Sequence, residues 1–241
     1  MRFLVGFVAA LALVVAGCGT DGPERVSANT DATALLRSTV TNLQSLKSAA
    51  IDLKVTAGGQ SATATGAFER AGDKELPKFT LNGTAEGKTA GATWTGEAGY
   101  LTLDGTSYEV PSLFVKQFQS VAPTILPDVT KWVSSPRNEG PADVGGVPTI
   151  KITGTANTAQ IQSDLQAIGS LLSGKLPQVP ATDATVEVYT GAADSQLRRL
   201  VVRAKDGVAE LTLTKVGEAQ TITAPQNAKP FSELQGQLRF K

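Results

Sequence analysis

Histidine is missing from all 241 residues of the chain. Its absence removes the usual general base and the commonest metal ligand. Ser-His-Asp and Cys-His catalysis, HExxH zinc sites and haem held by histidine go with it. An enzyme built on this chain would have only carboxylates, lysine or tyrosine to work with. Cysteine occurs once, at Cys18, so the fold contains no internal disulfide, whatever the redox state of its compartment. Two Trp, three Tyr and eight Phe are few aromatics for a carbohydrate-binding surface. Neither sign of charge is in excess, with 22 basic and 22 acidic side chains, which gives no reason to expect nucleic acid or an anionic membrane patch as partner. The glycine-rich stretches lack the phosphate-loop pattern.

The one long apolar run lies at the start. Met1-Arg2 supplies a positive end, Phe3 to Val15 is apolar except for Gly6, and Ala16-Gly17 precedes Cys18. A positive n-region, an h-region of this length and small residues at the cleavage point read as a secretory signal over residues 1–17. The run is short for a membrane-spanning helix. The Val15-Ala16-Gly17-Cys18 segment resembles the bacterial lipobox. That resemblance implies acylation of the Cys18 thiol and cleavage before it, leaving a lipid-anchored protein of 224 residues on the outer, periplasmic or cell-wall, face of the cell membrane.

Residues 18–29 then form a lipidated cysteine and a polar tether, broken by Gly22-Pro23 and lacking any periodicity. The remainder, 30–241, is expected to be a single domain. Asn29 or Thr30 can cap a helix over Asp31–Ser48, whose Leu36, Val40 and Leu43 share a stripe. Ala49 to Thr56 switches to period two, with Ile51, Leu53 and Val55 facing one way. Further strands are predicted at 61–68, 79–84, 92–95, 100–103 and 106–110, the last two joined by the hairpin signal Asp104-Gly105. Ser112 can cap a short helix over 112–119. Prolines 123, 127 and 136 make Val121–Glu139 the least regular stretch, with one short helical piece at 129–133. A strand at 147–154, a helix capped by Thr158 and carrying Ile161, Leu165, Ile168 and Leu172, and strands at 185–190, 196–204, 208–216 and 221–223 follow. Asp206-Gly207 is a second hairpin signal, and Phe231 and Leu234 lie in a tail able to dock.

Short links make the sheet antiparallel. One side of nearly every strand is Thr, Lys, Arg, Glu or Asp, so the sheet buries one face and wets the other. The predicted fold is α+β: a strongly curved antiparallel sheet, a half-barrel, with two to three helices across its concave face.

The segment Gly145-Gly146-Val147-Pro148-Thr149, running into Ile150-Lys151-Ile152-Thr153-Gly154-Thr155, is followed by a helix and by Val186-Glu187-Val188-Tyr189, Gln196-Leu197-Arg198-Arg199-Leu200, Leu211-Thr212-Leu213-Thr214 and Ile222-Thr223-Ala224-Pro225. This pattern, with Trp132 before it, resembles the actinobacterial lipoproteins of the LppX/LprG type, and more distantly the periplasmic carriers LolA and LolB. The resemblance implies a half-open barrel that holds acyl chains of a lipid or glycolipid between sheet and helices for transfer through the envelope, with a possible transport partner there. It implies no catalytic motif, no enzyme activity and no cofactor.

Strand positions between 57 and 99 are mostly Ala, Gly and Thr, with Phe68, Phe79, Leu81 and Trp94 as the large residues. Native cores fill to high density, so small side chains under a helix leave a dry space able to take acyl chains. Strand phase nominates Leu81, Trp94, Leu101, Leu103, Val110, Phe114, Phe118, Ile150, Ile152, Val186, Val188, Leu200, Val202, Leu211 and Leu213 as its lining. The competing expectation is a non-catalytic structural lipoprotein with a solid core and a protein partner. Asp128, Glu139 and Asp143, near the irregular stretch, are the one weak metal candidate, and no metal site is expected from them.

Overall fold

The computed structural model describes residues 31–70, 72, 76–112, 129–171 and 183–239. The predicted signal, Cys18 and its tether, most of the 112–119 helix with Phe114 and Phe118, and Asp128 lie outside them.

Helix α1 (Ala32–Gln44) buries Leu35, Leu36, Thr39, Val40 and Leu43 along one stripe. Its cap is neither Asn29 nor Thr30: the Asp31 carboxylate accepts from the Ala34 amide at 2.9 Å. The helix stops four residues short of Ser48, because Ser48 already begins β1 (Ser48–Ala57). Strands β2 (Gln60–Glu69), β3 (Lys78–Ala85), β4 (Lys88–Trp94), β5 (Gly99–Leu103) and β6 (Thr106–Val110) continue a meander. The β5–β6 hairpin turns on Asp104 (φ 46°) and Gly105 (φ 82°), the positive angles that a type I′ turn requires.

A 3₁₀ turn (Val129–Trp132) leads into β7 (Val133–Val144) and β8 (Val147–Ala156). Here the sequence expectation fails: residues 133–139 are not irregular but the first half of a twelve-residue strand. The prolines are accommodated because β7 is an edge, paired only with β8, and its register slips between Ser134 and Arg137 and again between Asn138 and Gly140. Helix α2 (Thr158–Leu171) is capped by Asn157, whose Oδ1 accepts from the Gln160 amide at 3.2 Å, and not by Thr158. Strands β9 (Thr185–Gly191), β10 (Leu197–Ala204) and β11 (Gly207–Thr214) complete a second meander. The β10–β11 turn is Lys205-Asp206, one residue earlier than predicted, since Ala204 pairs with Gly207. Residues 221–223 form no strand: their alternation has no neighbour to pair with. Lys229–Pro230 forms a two-residue strand, β12, parallel to β6, and α3 (Phe231–Arg239) packs beside it with Leu234 buried.

The twelve strands form one open curved sheet in the order β12-β6-β5-β4-β3-β2-β1-β11-β10-β9-β8-β7. The meanders meet where β1 pairs with β11 across eight residues. Helix α1 lies on one face, its Thr39 hydroxyl donating to Thr190 Oγ1 at 2.9 Å and its Asn42 amide donating to the carbonyls of Asp194 and Ser195 at 3.1 and 3.3 Å. Helix α2 is tied to the 3₁₀ turn by the Trp132 indole, which donates to Asp164 Oδ2 at 2.7 Å, and adds Ile161 to the main core.

Candidate functional site

The face that carries α1 is termed inner. Cross-strand register arranges its side chains in rows. One row runs Ala49, Phe68, Phe79, Trp94, Gly99 and Val110. The next runs Leu213, Ile51, Gly66, Leu81, Ala92, Leu101 and Tyr108. A third runs Ile152, Val188, Leu200, Leu211, Leu53, Ala64, Gly83, Ala90 and Leu103. A fourth runs Gly154, Val186, Val202, Ala209, Val55, Ala62, Ala85 and Lys88. Ile150 sits beside Thr190 on the same face.

Thirteen of the fifteen nominated lining residues are therefore brought together on one face, and the other two, Phe114 and Phe118, lie outside the described residues. Leu53, Val55, Tyr108 and Ala209 share that face and were not nominated. The alternation of Ile51, Leu53 and Val55 held the signal for the first two. Tyr108 shares the strand phase of Val110, two residues further on, so the same alternation held its signal.

The inner face is not uniform. On β7 to β11 and the start of β1, large aliphatic residues pack under α1 into one core that includes Ile152, Val186, Val188 and Leu213. On β2 to β4 the floor is small: Ala62, Ala64, Gly66, Gly83, Ala85, Ala90 and Ala92, interrupted by Leu81. A separate small cluster joins Leu53, Ala64 and Leu81, with Val55 and Leu211 against it. The row Phe68, Phe79, Trp94 forms an aromatic wall at one end of this trough, and half-buried Leu101 and Leu103 border it on β5. Apart from Lys88 at the far rim, no charged residue enters the trough rows on β2 to β5.

One polar atom interrupts the apolar wall. Trp94 is 4% exposed, and its indole Nε1 is buried with no hydrogen-bond partner among the described residues. The other tryptophan, Trp132, has its indole paired with Asp164.

The opposite, outer face divides the same way. Over β2 to β5 it is a neutral field of hydroxyls, with Thr80 and Thr93 oxygens 3.2 Å apart and Thr102 and Ser107 2.9 Å apart. A shallow depression of about 370 Å³ lies there among Thr63, Thr65, Asn82 and Thr84. Over β8 to β11 the outer face is ionic. Glu187 meets Lys151 at 3.4 Å and Arg203 at 3.2 Å and accepts from the Tyr189 hydroxyl at 2.9 Å. Burial alone pushes the Glu187 carboxyl up, but the hydrogen bonds from Tyr189 and Arg203 and the two cationic charges outweigh it and hold it below its usual value. Burial and the Glu187 carboxylate together push the Tyr189 hydroxyl up. Lys151 is drawn down by burial, yet Glu187 and Tyr189 raise it overall. Arg198 pairs with Asp194, and Arg199 with Glu210 at 3.3 Å, so three of the four basic residues around β10 each meet a carboxylate.

Among the described residues no three Asp, Glu or Cys side chains gather closely enough to hold a metal ion. Glu139 accepts from the Thr153 hydroxyl at 2.6 Å and Asp143 caps the β7–β8 turn at the Gly146 amide, 2.8 Å away. Both acidic residues serve local structure.

No family model matches the chain, and no curated protein matches it in sequence. Solved structures do match. LprF from Mycobacterium bovis superposes with a TM-score of 0.54 at 16% identity, over 85% of this chain and 99% of its own. The lipoprotein LppX of Mycobacterium tuberculosis superposes with a TM-score of 0.55 at 17% identity, over 79% of this chain and 97% of its own. A LolA-superfamily protein from Nitrosomonas europaea reaches a TM-score of 0.29 at 7% identity, too distant to bear on the fold. The half-open sheet with α1 on its inner face is thus the fold of LprF and the lipoprotein LppX.

Proposed function

We propose that this protein is a non-catalytic envelope lipoprotein, anchored to the membrane through Cys18, that holds acyl chains of a lipid or glycolipid against the inner face of its sheet and carries or presents them. The observation that carries the reading is the small-residue trough of β2 to β4, set between an aromatic wall and large aliphatic residues, in a fold shared with a lipoprotein. Small side chains on these strands offer apolar contact while taking up little volume themselves. Each methylene removed from water contributes about 0.8 kcal/mol, so a segment of ten carbons gives roughly 8 kcal/mol before ordering costs. The neutrality of the trough suits hydrocarbon and excludes anions from its floor.

A second reading has its own support. Ala64 is 1% exposed and Leu81 2%, the burial expected of a solid scaffold that acts through a protein partner. One experiment separates the two. The protein is purified from its bacterial host without detergent, and its organic extract is analysed by mass spectrometry. It is then stripped and incubated with vesicles of the host's own envelope lipids. An acylated lipid near one per chain is the expected result. A protein that is empty at purification and stays empty after the vesicles removes the lipid-binding reading in favour of the scaffold.

A further inference from the structure

The inner face is sealed at one end and open at the other. At the aromatic end Phe68 is 1% exposed, Trp94 4% and Tyr108 3%. Buried Arg70 ties the end of β2 to α1 there, its Nη1 donating to the Gln44 carbonyl at 3.3 Å. Towards the turns that join β1 to β2, β3 to β4 and β10 to β11, the cover thins. The row Val202, Ala209, Val55 and Ala62 is half-buried on four adjacent strands, and one step further Ala204 is half-buried and Ala57 exposed. At the turns themselves Gly58, Gly59 and Gly87 border open space. The strands thus end in an apolar lip, and contiguous apolar surface left uncovered marks a contact site. The same turns carry Lys88 and Lys205 against Glu86, Asp104 and Asp206, so no excess of positive charge draws this end to an anionic surface. Its attraction is apolar.

Helix α1 sets this lip relative to the anchor. Its last turn lies at the sealed end, where Asn42 reaches the Asp194 and Ser195 carbonyls and Ser48 begins β1 opposite Glu69. Thirteen helical residues, about 20 Å, carry its start away from that end. There α1 packs against the 3₁₀ turn that opens β7, whose Val133 pairs with Ala156 at the open end of the sheet. Twelve residues, Gly19 to Thr30, separate Cys18 from the Asp31 cap. A flexible chain of that length spans about 20 Å on average and about 40 Å at full stretch. To bring the aromatic end to the bilayer it would have to run back along the strands, about 33 Å for the ten residues of β1. Resting on the Cys18 anchor and the lipid-binding reading above, we propose that the lip is the mouth of the trough and faces the bilayer that holds the anchor. Acyl chains pass between the outer leaflet and the inner face at this end, and the aromatic end is the closed floor.

The test uses the acylated full chain, purified from its host and reconstituted in phosphatidylcholine vesicles. Cys18 is the chain's one cysteine, so once it is acylated a cysteine introduced elsewhere is the sole free thiol. Ala57→Cys puts a fluorescent label on the lip, and Glu97→Cys puts one on the exposed loop between β4 and β5 at the aromatic end. Lipids carrying a nitroxide near the headgroup quench the Ala57→Cys label and leave the other bright. Quenching of the Glu97→Cys label instead, of both alike, or of neither overturns the inference, and the last outcome leaves the lip to a protein partner. Ala57→Asp then sets a charge on the lip. Its uptake of dioleoylglycerol from vesicles slows about tenfold, because a charge resists the apolar contact, while uptake from cyclodextrin, which presents no bilayer, keeps the wild-type rate. Equal rates from vesicles for the two proteins, or equal slowing from both donors, overturns the inference and leaves the lipid-binding reading standing. A wild type that takes up lipid from neither donor removes that reading and the mouth with it, while the labels still report whether the lip meets the bilayer.

Discussion

Gly66 has no side chain because its place in the sheet leaves no room for one. A Cβ built there would stand 2.1 Å from the Thr80 carbonyl oxygen and 3.0 Å from the Leu81 Cα, both backbone atoms that cannot swing away. The neighbouring strand comes this close because the sheet bends, and the bend shapes the trough. Gly66→Ala must move one strand off the other, and we expect it to lower stability by about 3 kcal/mol, the upper end of what forced shifts of packed structure cost. Thr65→Ala, one residue away on the exposed outer face, should cost under about 1 kcal/mol. Urea unfolding of both variants checks the contrast. Equal losses would mean that β2 and β3 separate there at no cost. The sequence marks Gly66 only as one of many small residues. What distinguishes it is a neighbour 14 residues further along the chain.

Among the elements, the outer face of β8 to β11 holds together through charge rather than apolar contact. Glu187 is its centre, with a side chain 14% exposed between Lys151 and Arg203. A carboxyl held below its usual value contributes stability that is fully present above its unfolded pKa, about 4.3, and is lost as pH falls through the lower folded value. We therefore expect the thermal midpoint of the wild type to drop more than that of Glu187→Gln between about pH 5 and pH 3. Parallel curves for the two proteins would show that Glu187 carries no such linkage. The alternation on β8 to β11 is legible because apolar residues on these strands alternate with Thr, Tyr and charged residues. Strand β7 is not. Pro136 reads as a break, and only the position of β7 at the sheet edge, where missing donors go unused, turns such a segment into a strand. At 221–223 the opposite error occurs, an alternating segment with no partner strand. Local pattern reports what a segment tolerates, whereas pairing decides what it becomes.

At the scale of the molecule, the decisive contact is the one that no local pattern reveals. Strand β1 follows α1 near the start of the domain, β11 comes more than 150 residues later, and their pairing joins two meanders into one open sheet. The two ends of the sheet are protected differently: β7 is blunted by its prolines and bulges, while β6 is covered by the two-residue β12 and by α3. Helix α1 packs over the β7 to β11 side of this open sheet, and the proposed trough on β2 to β5 lies beside it. A ligand that settles there binds the folded state alone, because the unfolded chain has no trough. Such a ligand raises the unfolding free energy by about 2.7 kcal/mol when its free concentration is a hundred times its Kd. In a domain of this size that corresponds to a rise in Tm of about 5–11 °C. Calorimetry of the stripped and the lipid-loaded protein measures it directly, and Ala92→Phe, which places a ring on the trough floor, supplies the control. The expected result is a rise in the wild type and little or none in Ala92→Phe, because the ring occupies the space the acyl chain would take. A wild-type rise that Ala92→Phe fully retains would place the lipid elsewhere on the molecule, and the small residues of β2 to β4 would then be explained by the bend of the sheet alone.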